Sequence, residues 1–254
     1  MKISFLGTGT SQGVPVIACE CQVCQSSDEH DKRLRSSVLI EESGATILID
    51  SGPDFRYQML RARVKKLDAI LFTHEHKDHT AGLDDIRSYN YISGKPMDIY
   101  AETRVLDSLK REYAYVFENN TYPGVPKVEL HTITSKLPFY VNGIQVIPVR
   151  LLHHQLPIFG FRIGDFAYLT DIKYISPEEK EKLKGCKHLV VAGLRKEEHI
   201  AHFTFSEAIS LINEIKPLKG YITHMSHQIG FYKELMLELP ENICIAYDQL
   251  VIEC

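Results

Sequence analysis

Between residues 73 and 79 the chain reads Thr-His-Glu-His-Lys-Asp-His, directly after the apolar run Ala69-Ile-Leu-Phe72 and before Thr80-Ala-Gly-Leu83. A strand that ends in so many ligand-type side chains constrains the fold more than any other stretch. Side chains alternate on extended backbone, so His74 and His76 point the same way and can grip one metal. Asp78 and His79 follow as the chain turns towards a helix, where they can face a second metal. Without a metal such crowding is costly. The competing reading is a strand-end loop decorated with polar residues.

The rest of the chain supplies a sheet-and-helix framework for that loop. Short β-branched runs at Ile3–Leu6, Ser37–Ile40, Thr46–Ile49, Ala69–Phe72, Ile144–Ile147 and His188–Val191 read as strands. Helical patterns fall between some of them, at Phe55–Val64, Leu83–Tyr91, Thr103–Tyr113, Pro177–Leu183, Ser206–Ile215 and Tyr232–Leu237. Strands concentrate in the first fifty residues and from about Val128 to Thr170, which predicts two packed sheets with helices outside. No linker or short-period repeat interrupts residues 1–254, so a single domain is expected. The basic run Arg61-Ala-Arg-Val-Lys-Lys66 reads as a solvated helix end.

The pattern H-x-H-x-D-H after an apolar strand resembles the signature of the metallo-β-lactamase superfamily, and the resemblance extends over nearly the whole chain. It implies an α/β fold, an αββα sandwich of two mixed sheets flanked by helices, with a dinuclear metal site at one end. Further ligands are then expected downstream. His153 lies in Leu152-His-His-Gln-Leu-Pro157, Asp171 ends Ala167-Tyr-Leu-Thr-Asp171, and His224 ends Tyr221-Ile-Thr-His224. By the resemblance, His74, His76 and His153 hold the first metal, Asp78, His79 and His224 the second, and Asp171 bridges them. His153 and His154 are adjacent, and only one can face the site from a strand. The family pattern favours His153. Asp50, ending Ile47-Leu-Ile-Asp50, matches the family's strand-end acid, which orients a ligand histidine. Its competing reading is a turn aspartate before Gly52.

Single residues then separate the branches. Oxygen-reducing members carry an acid where this chain has His76, and true β-lactamases lack a bridging aspartate. What remains are phosphodiesterases, tRNase Z-like nucleases and thioester hydrolases. In Glu198-His-Ile-Ala-His-Phe-Thr-Phe-Ser-Glu-Ala208, His202 falls where phosphodiesterase branches place the histidine that protonates the leaving oxygen. His202 and Asp78 are thus the expected catalytic residues, with a surface histidine before a helix as the plainer reading of the former. His30 and His199 are read as surface residues. Gly7-Thr-Gly9, the C-x-C-x-x-C cluster, Thr223-His-Met-Ser-His-Gln228 and Tyr247-Asp248 resemble the PhnP-type cyclic phosphodiesterase branch. The implied reaction is attack of a metal-bridging hydroxide on a small, cyclic phosphodiester, with zinc or manganese at both catalytic positions. The alternatives are a tRNase Z-like nuclease, a thioester hydrolase, or a metal-binding protein without catalysis.

Three further thiols stand within six residues in Cys19-Glu-Cys-Gln-Val-Cys24. By the resemblance, Cys19, Cys21, Cys24 and His227 complete one structural zinc site. Free or paired thiols beside a surface histidine are the alternative. Cys186, Cys244 and Cys254 are scattered in apolar surroundings, as ordinary buried thiols are.

Composition limits the partners. A net charge of -4 and a pI near 6.3 give no general attraction to phosphate backbones. The chain also lacks the long Gly/Pro-rich arm of many tRNase Z enzymes, so a small phosphorylated substrate is expected and a large nucleic acid is not. The opening Met-Lys-Ile-Ser-Phe-Leu-Gly is too short an apolar run for a signal segment, and no later run spans a bilayer. A cytoplasmic protein without membrane contact is expected. The aromatic stretch Tyr113–Pro126 either walls the substrate pocket or covers a sheet edge or subunit contact, which leaves a homodimer open.

Overall fold

In the first sheet, adjacent residues of one strand enter different cores. Ile3 and Phe5, Val38 and Ile40, and Ile47 and Ile49 are fully buried against the other sheet. Leu39, Leu48, Ile70 and Phe72 are buried on the opposite face, against Phe55, Met59, Val105 and Leu109 of the covering helices. Strands that must satisfy two cores read as continuous apolar runs, which is why the sequence marks them so clearly.

A computed structural model describes residues 1–118 and 122–254. The strands are β1 (Lys2–Gly7), β2 (Ser37–Glu42), β3 (Ala45–Ile49), β4 (Ala69–Leu71), β5 (Met97–Ala101), β6 (Val128–Thr132), β7 (Phe139–Val141), β8 (Ile144–His153), β9 (Leu156–Ile163), β10 (Phe166–Leu169), β11 (Tyr174–Ile175), β12 (His188–Ala192), β13 (Lys219–Thr223), β14 (Ile243–Ile245) and β15 (Val251–Glu253). One sheet runs β15-β1-β2-β3-β4-β5-β6 and the other β11-β8-β9-β10-β12-β13-β14, with β7 paired to β8. Each is mixed: antiparallel hairpins lead into parallel crossovers after β3 and after β10.

Helices cover the outer faces: α1 (Phe55–Arg61), α2 (Lys77–Thr80), α3 (Arg87–Ser93), α4 (Thr103–Glu112), α5 (Ala114–Phe117), α6 (Pro177–Glu181), α7 (Phe205–Ile215) and α8 (Tyr232–Glu238). In α7, Thr204 and Glu207 form a reciprocal capping box, and Ala208, Leu211 and Ile212 pack on Leu189, Val191 and Ile222 of the second sheet. The expected two-sheet sandwich is therefore present. Strands also form outside the two predicted clusters, as at β5, β13 and β14. The helix expected over 83–91 starts instead as a 3₁₀ turn, Leu83–Ile86, before α3.

One charge departs from expectation. Arg61 is not solvated: its guanidinium donates to the Leu6 carbonyl at 2.5 Å and lies 3.2 Å from Asp248. Asp248 also accepts from the Thr8 hydroxyl at 2.9 Å, so two motifs from opposite ends of the chain meet there. No helix among the described residues is long and apolar enough to cross a membrane.

Candidate metal centre

Three strands end at one edge of the sandwich, and within two residues of each end the chain turns sharply. Asp50, Asp171 and His224 adopt left-handed backbone, with φ of 61°, 52° and 56°. Such conformations cost about 1 kcal/mol or more for a side-chain-bearing residue, and Asp and His tolerate them better than most. The turn re-aims each side chain across the sheet ends, where strain of this kind is concentrated in functional sites. His74 and His76 extend from the end of β4, and α2 carries Asp78 and His79. Close approach at Gly52 seats that helix, since a Cβ there would lie 2.0 Å from the Asp78 carbonyl oxygen. His153 ends β8 facing inward, whereas His154 is exposed.

Hydrogen bonding fixes which nitrogen each ring presents. The Thr73 hydroxyl donates to Asp50 at 2.8 Å, so at 2.9 Å from His74 Nδ1 it can only accept. Asp50 accepts from His79 Nδ1 at 2.7 Å, and the Ala201 carbonyl accepts from His153 Nδ1 at 2.8 Å. His224 Nδ1 lies 3.2 Å from both the Thr170 and Ser36 hydroxyls. Those hydroxyls are committed as donors to Asp171 and the Gly9 carbonyl, at 2.8 and 2.9 Å. In their neutral form all four rings thus carry the proton outward and turn Nε2 inward, where His224 Nε2 also lies 3.2 Å from the Thr10 hydroxyl.

The inward atoms crowd one another at spacings that need either a shared proton or a cation among them. His74 Nε2 is 3.0 Å from His76 Nδ1, and His224 Nε2 is 3.1 Å from Asp171 Oδ1. His79 Nε2 is 3.2 Å from both Asp78 Oδ2 and Asp171 Oδ2, yet it is buried and makes no hydrogen bond. Ligands about 2.0–2.1 Å from a tetrahedral cation stand about 3.3 Å apart, close to this spacing. The residues therefore fit divalent metal. Groups of donors overlap: Asp171 belongs with His74 and His79, and also with His153 and His202, while His79 also belongs with Asp78 and His224. A shared carboxylate of this kind sits where a bridge would be needed.

Charge follows the same geometry. Burial opposes ionisation of Asp171, but His224 and His79 hold it well below the usual carboxylate range. Burial likewise opposes a charged His79, but Asp78, Asp171 and Asp50 hold it well above the usual histidine range. Asp50 is raised by its burial. His74, buried beside His79, is pushed well down. His202 closes the open side, with ring centroids 4.5 Å from His153 and 5.3 Å from His224 and its Nδ1 3.7 Å from Asp171. Burial pushes it down to about 3. His199 is no isolated surface residue, since its ring lies 4.9 Å from that of His202. His30 is partly exposed but packs between Tyr232 and Tyr247.

The second cluster gathers around His227. Its Nδ1 lies 3.4, 3.2 and 3.5 Å from the sulfurs of Cys19, Cys21 and Cys24. A tetrahedral zinc with ordinary Zn–S and Zn–N bonds sets sulfur and nitrogen about 3.5 Å apart, so this donor set also fits a metal. The Cys24 backbone N–H and His227 draw Cys21 down to about 6, while burial pushes Cys24 up to about 11. Met225 separates this cluster from His224, and its backbone is clamped by Thr8 and Thr10 at 2.9 and 3.1 Å.

Around the aromatic stretch, Asn119, Asn120 and Thr121 lie outside the described residues. Its flanks touch the segment that follows the ligand motif, where the Tyr113 hydroxyl donates to the Thr80 carbonyl at 3.0 Å and Tyr115 meets Asp84. Sequence reasoning did not find Thr73, Ser36 and Thr170, because a hydroxyl that sets a tautomer carries no motif.

Residues 45–225 match the beta-lactamase superfamily domain. A protein of Porphyromonas gingivalis named octanoyltransferase is 45% identical over 252 residues, covering 98% of this chain and 51% of that protein. A ribonuclease Z of Nostoc sp. is 29% identical over 171 residues, 65% of this chain and 47% of its own. The chain thus spans about half the length of these relatives. Among solved structures, a diphosphatase from the PhnP family superposes with a TM-score of 0.93 at 38% identity, covering 100% of this chain and 97% of its own. Zinc-bound PqqB from Methylobacterium extorquens, at 18% identity and a TM-score of 0.83 with 100% of both chains covered, shares the fold.

Proposed function

The chain belongs to the beta-lactamase superfamily and, within it, to the PhnP family, and on that premise we propose that it is a metal-dependent hydrolase that cleaves a small, cyclic phosphodiester at a two-metal centre. In this reading His74, His76 and His153 hold one metal, Asp78, His79 and His224 the other, and Asp171 both. Zinc suits the nitrogen-rich first position, and manganese serves the same ligands. When bound, such metals polarise a phosphoryl oxygen and make a nucleophile available from water at neutral pH. Asp50 keeps His79 in the tautomer that binds. Cys19, Cys21, Cys24 and His227 hold a structural zinc that ties the N-terminal loop to the one carrying His224.

His202 carries the choice of substrate class. It stands at the edge of the centre, 3.7 Å from Asp171, with a nitrogen that has no hydrogen-bond partner among the described residues. An alkoxide leaving from phosphorus needs a proton, whereas a thiolate leaving from a thioester does not. His202 is placed to give that proton. Burial keeps it neutral at rest, so in this reading it must first take a proton from solvent when the anionic substrate docks beside it.

Octanoyl transfer, in this reading, belongs to the half of the Porphyromonas gingivalis protein that this chain does not match. The converging side chains are imidazoles and carboxylates, with no thiol or amine among them to carry an acyl group. A second reading, cleavage of a diphosphate, is favoured by the activity of the 38% identical PhnP-family structure. The test compares turnover of a five-membered cyclic phosphodiester, an organic diphosphate and a glutathione thioester by the metal-loaded protein. The cyclic diester should be cleaved fastest. Faster cleavage of the diphosphate would favour the second reading, and thioester cleavage alone would overturn both.

A further inference from the structure

Glu75 stands between His74 and His76, so on extended backbone it must point away from them. It points at Arg104, in the first turn of α4, whose Nη1 pairs with Glu75 Oε1. The same guanidinium donates through Nη2 to the Pro157 carbonyl of β9 at 2.5 Å. β9 belongs to the opposite sheet, and it grips the ligand loop once more where the Phe159 N–H donates to the Thr73 carbonyl at 3.0 Å. Behind Arg104, Glu102 lies 3.8 Å from Nη2 and is held by Arg150 at 2.6 and 3.1 Å. Arg150 in turn stacks 4.1 Å over the Phe159 ring. Alternating charges therefore run from the ligand loop across to the second sheet.

We propose that Arg104 is a positioning residue for the metal held by His74 and His76, acting by tying Glu75 to the second sheet and so fixing the direction of both rings. This inference rests on the assignment of those histidines as ligands. Glu75 is only 22% exposed, and its second oxygen is buried without a hydrogen-bond partner among the described residues. A carboxylate in that position is stable only with a cation beside it. Without Arg104 the Glu75 carboxylate is left unpaired and the segment that carries His74 and His76 loses one of its ties to β9, leaving the Phe159–Thr73 hydrogen bond to hold it. Supporting residues of this kind change metal affinity about 10- to 100-fold when removed.

The test is a chelator titration of the metal-loaded protein, counting ions released, for wild type, Arg104→Ala, Arg104→Lys, Glu75→Gln and the Arg104→Ala/Glu75→Gln double variant. Arg104→Ala should release one class of ion at about 10- to 100-fold lower chelator concentration, with the ion of the cysteine cluster unchanged. Arg104→Lys should fall between, because an ammonium can meet Glu75 but lacks the fork that also reaches Pro157. The double variant should bind metal more tightly than Arg104→Ala alone, since no carboxylate is then left unpaired. A simple structural brace would show no such recovery. Wild-type release midpoints in Arg104→Ala, or a uniform shift of every ion with a lowered Tm and no recovery in the double variant, would overturn the proposal. A wild-type protein that binds metal without hydrolysing phosphodiesters would overturn the functional reading and leave this result standing.

Discussion

The carboxylate of Asp50 accepts a hydrogen bond from Nδ1 of His79 at 2.7 Å, with both side chains fully buried. The same carboxylate accepts from the backbone N–H and hydroxyl of Thr73, at 2.9 and 2.8 Å, and Thr73 in turn orients His74. One acid thus sets rings assigned to both metals. Asp50→Asn keeps the shape but can turn an amide N–H towards His79 and invert its tautomer. Metal analysis should find affinity lowered about 10- to 100-fold. Unchanged metal content and affinity would show that Asp50 is only a turn residue.

Of the adjacent histidines, His153 faces His74 and His76 with centroids 5.8 and 5.2 Å away. His154 is exposed, with left-handed backbone at φ 55°. His153→Ala should lose metal and nearly all turnover. His154→Ala should cost no more than about 1 kcal/mol of stability, the penalty of left-handed backbone for alanine, and keep its metal and activity. Parallel metal and rate measurements decide it, and the reverse order would move the ligand by one residue.

Cys21→Ser and His227→Ala should each lose about one zinc per chain and lower the Tm, because a closed site contributes directly to folding. Activity should fall less than metal loss at the catalytic centre would cause, through disturbance of His224 alone. A full zinc complement in both variants would remove the cluster from the account.

Acid should destabilise the protein when its catalytic metals are stripped. Burial pushes His202 down to about 3 and His74 well down, whereas an unfolded histidine titrates near 6.5. At these two groups the unfolded chain therefore takes up protons first, and the stability they contribute above about pH 6.5 is lost as pH falls. His79, held well above its usual range, acts in the opposite direction. Asp171, held below its usual range, adds a further loss at lower pH. Thermal melts at pH 7.5 and 5 should show a smaller drop for His202→Ala than for wild type. An equal drop would place the titration elsewhere.

Part of the centre was legible because its chemistry is local. Period-two alternation paired His74 with His76, and the family resemblance, not the local pattern, pointed to Asp171 and His224. The left-handed turns at Asp50, Asp171 and His224 were not legible, since only the meeting of two sheets demands them. Arg61 was misread for a similar reason. Its partner, Asp248, is 187 residues away and no local charge pattern announces it. In the fold, runs buried on both faces stood out, while short strands such as β7, β11 and β14 depend on neighbours for their pairing.

The account stands or falls on the rate of a phosphodiester with a poor, alkoxide leaving group, measured for wild type and His202→Ala with metal content checked in both. Wild type should turn it over, and the variant should keep its metals yet lose about two to four orders of magnitude, the size of a general-acid contribution. With a nitrophenolate leaving group the loss should be far smaller. No wild-type turnover with zinc or manganese, or an equal loss for both leaving groups, would contradict the claim that this centre cleaves phosphodiesters with His202 as its acid.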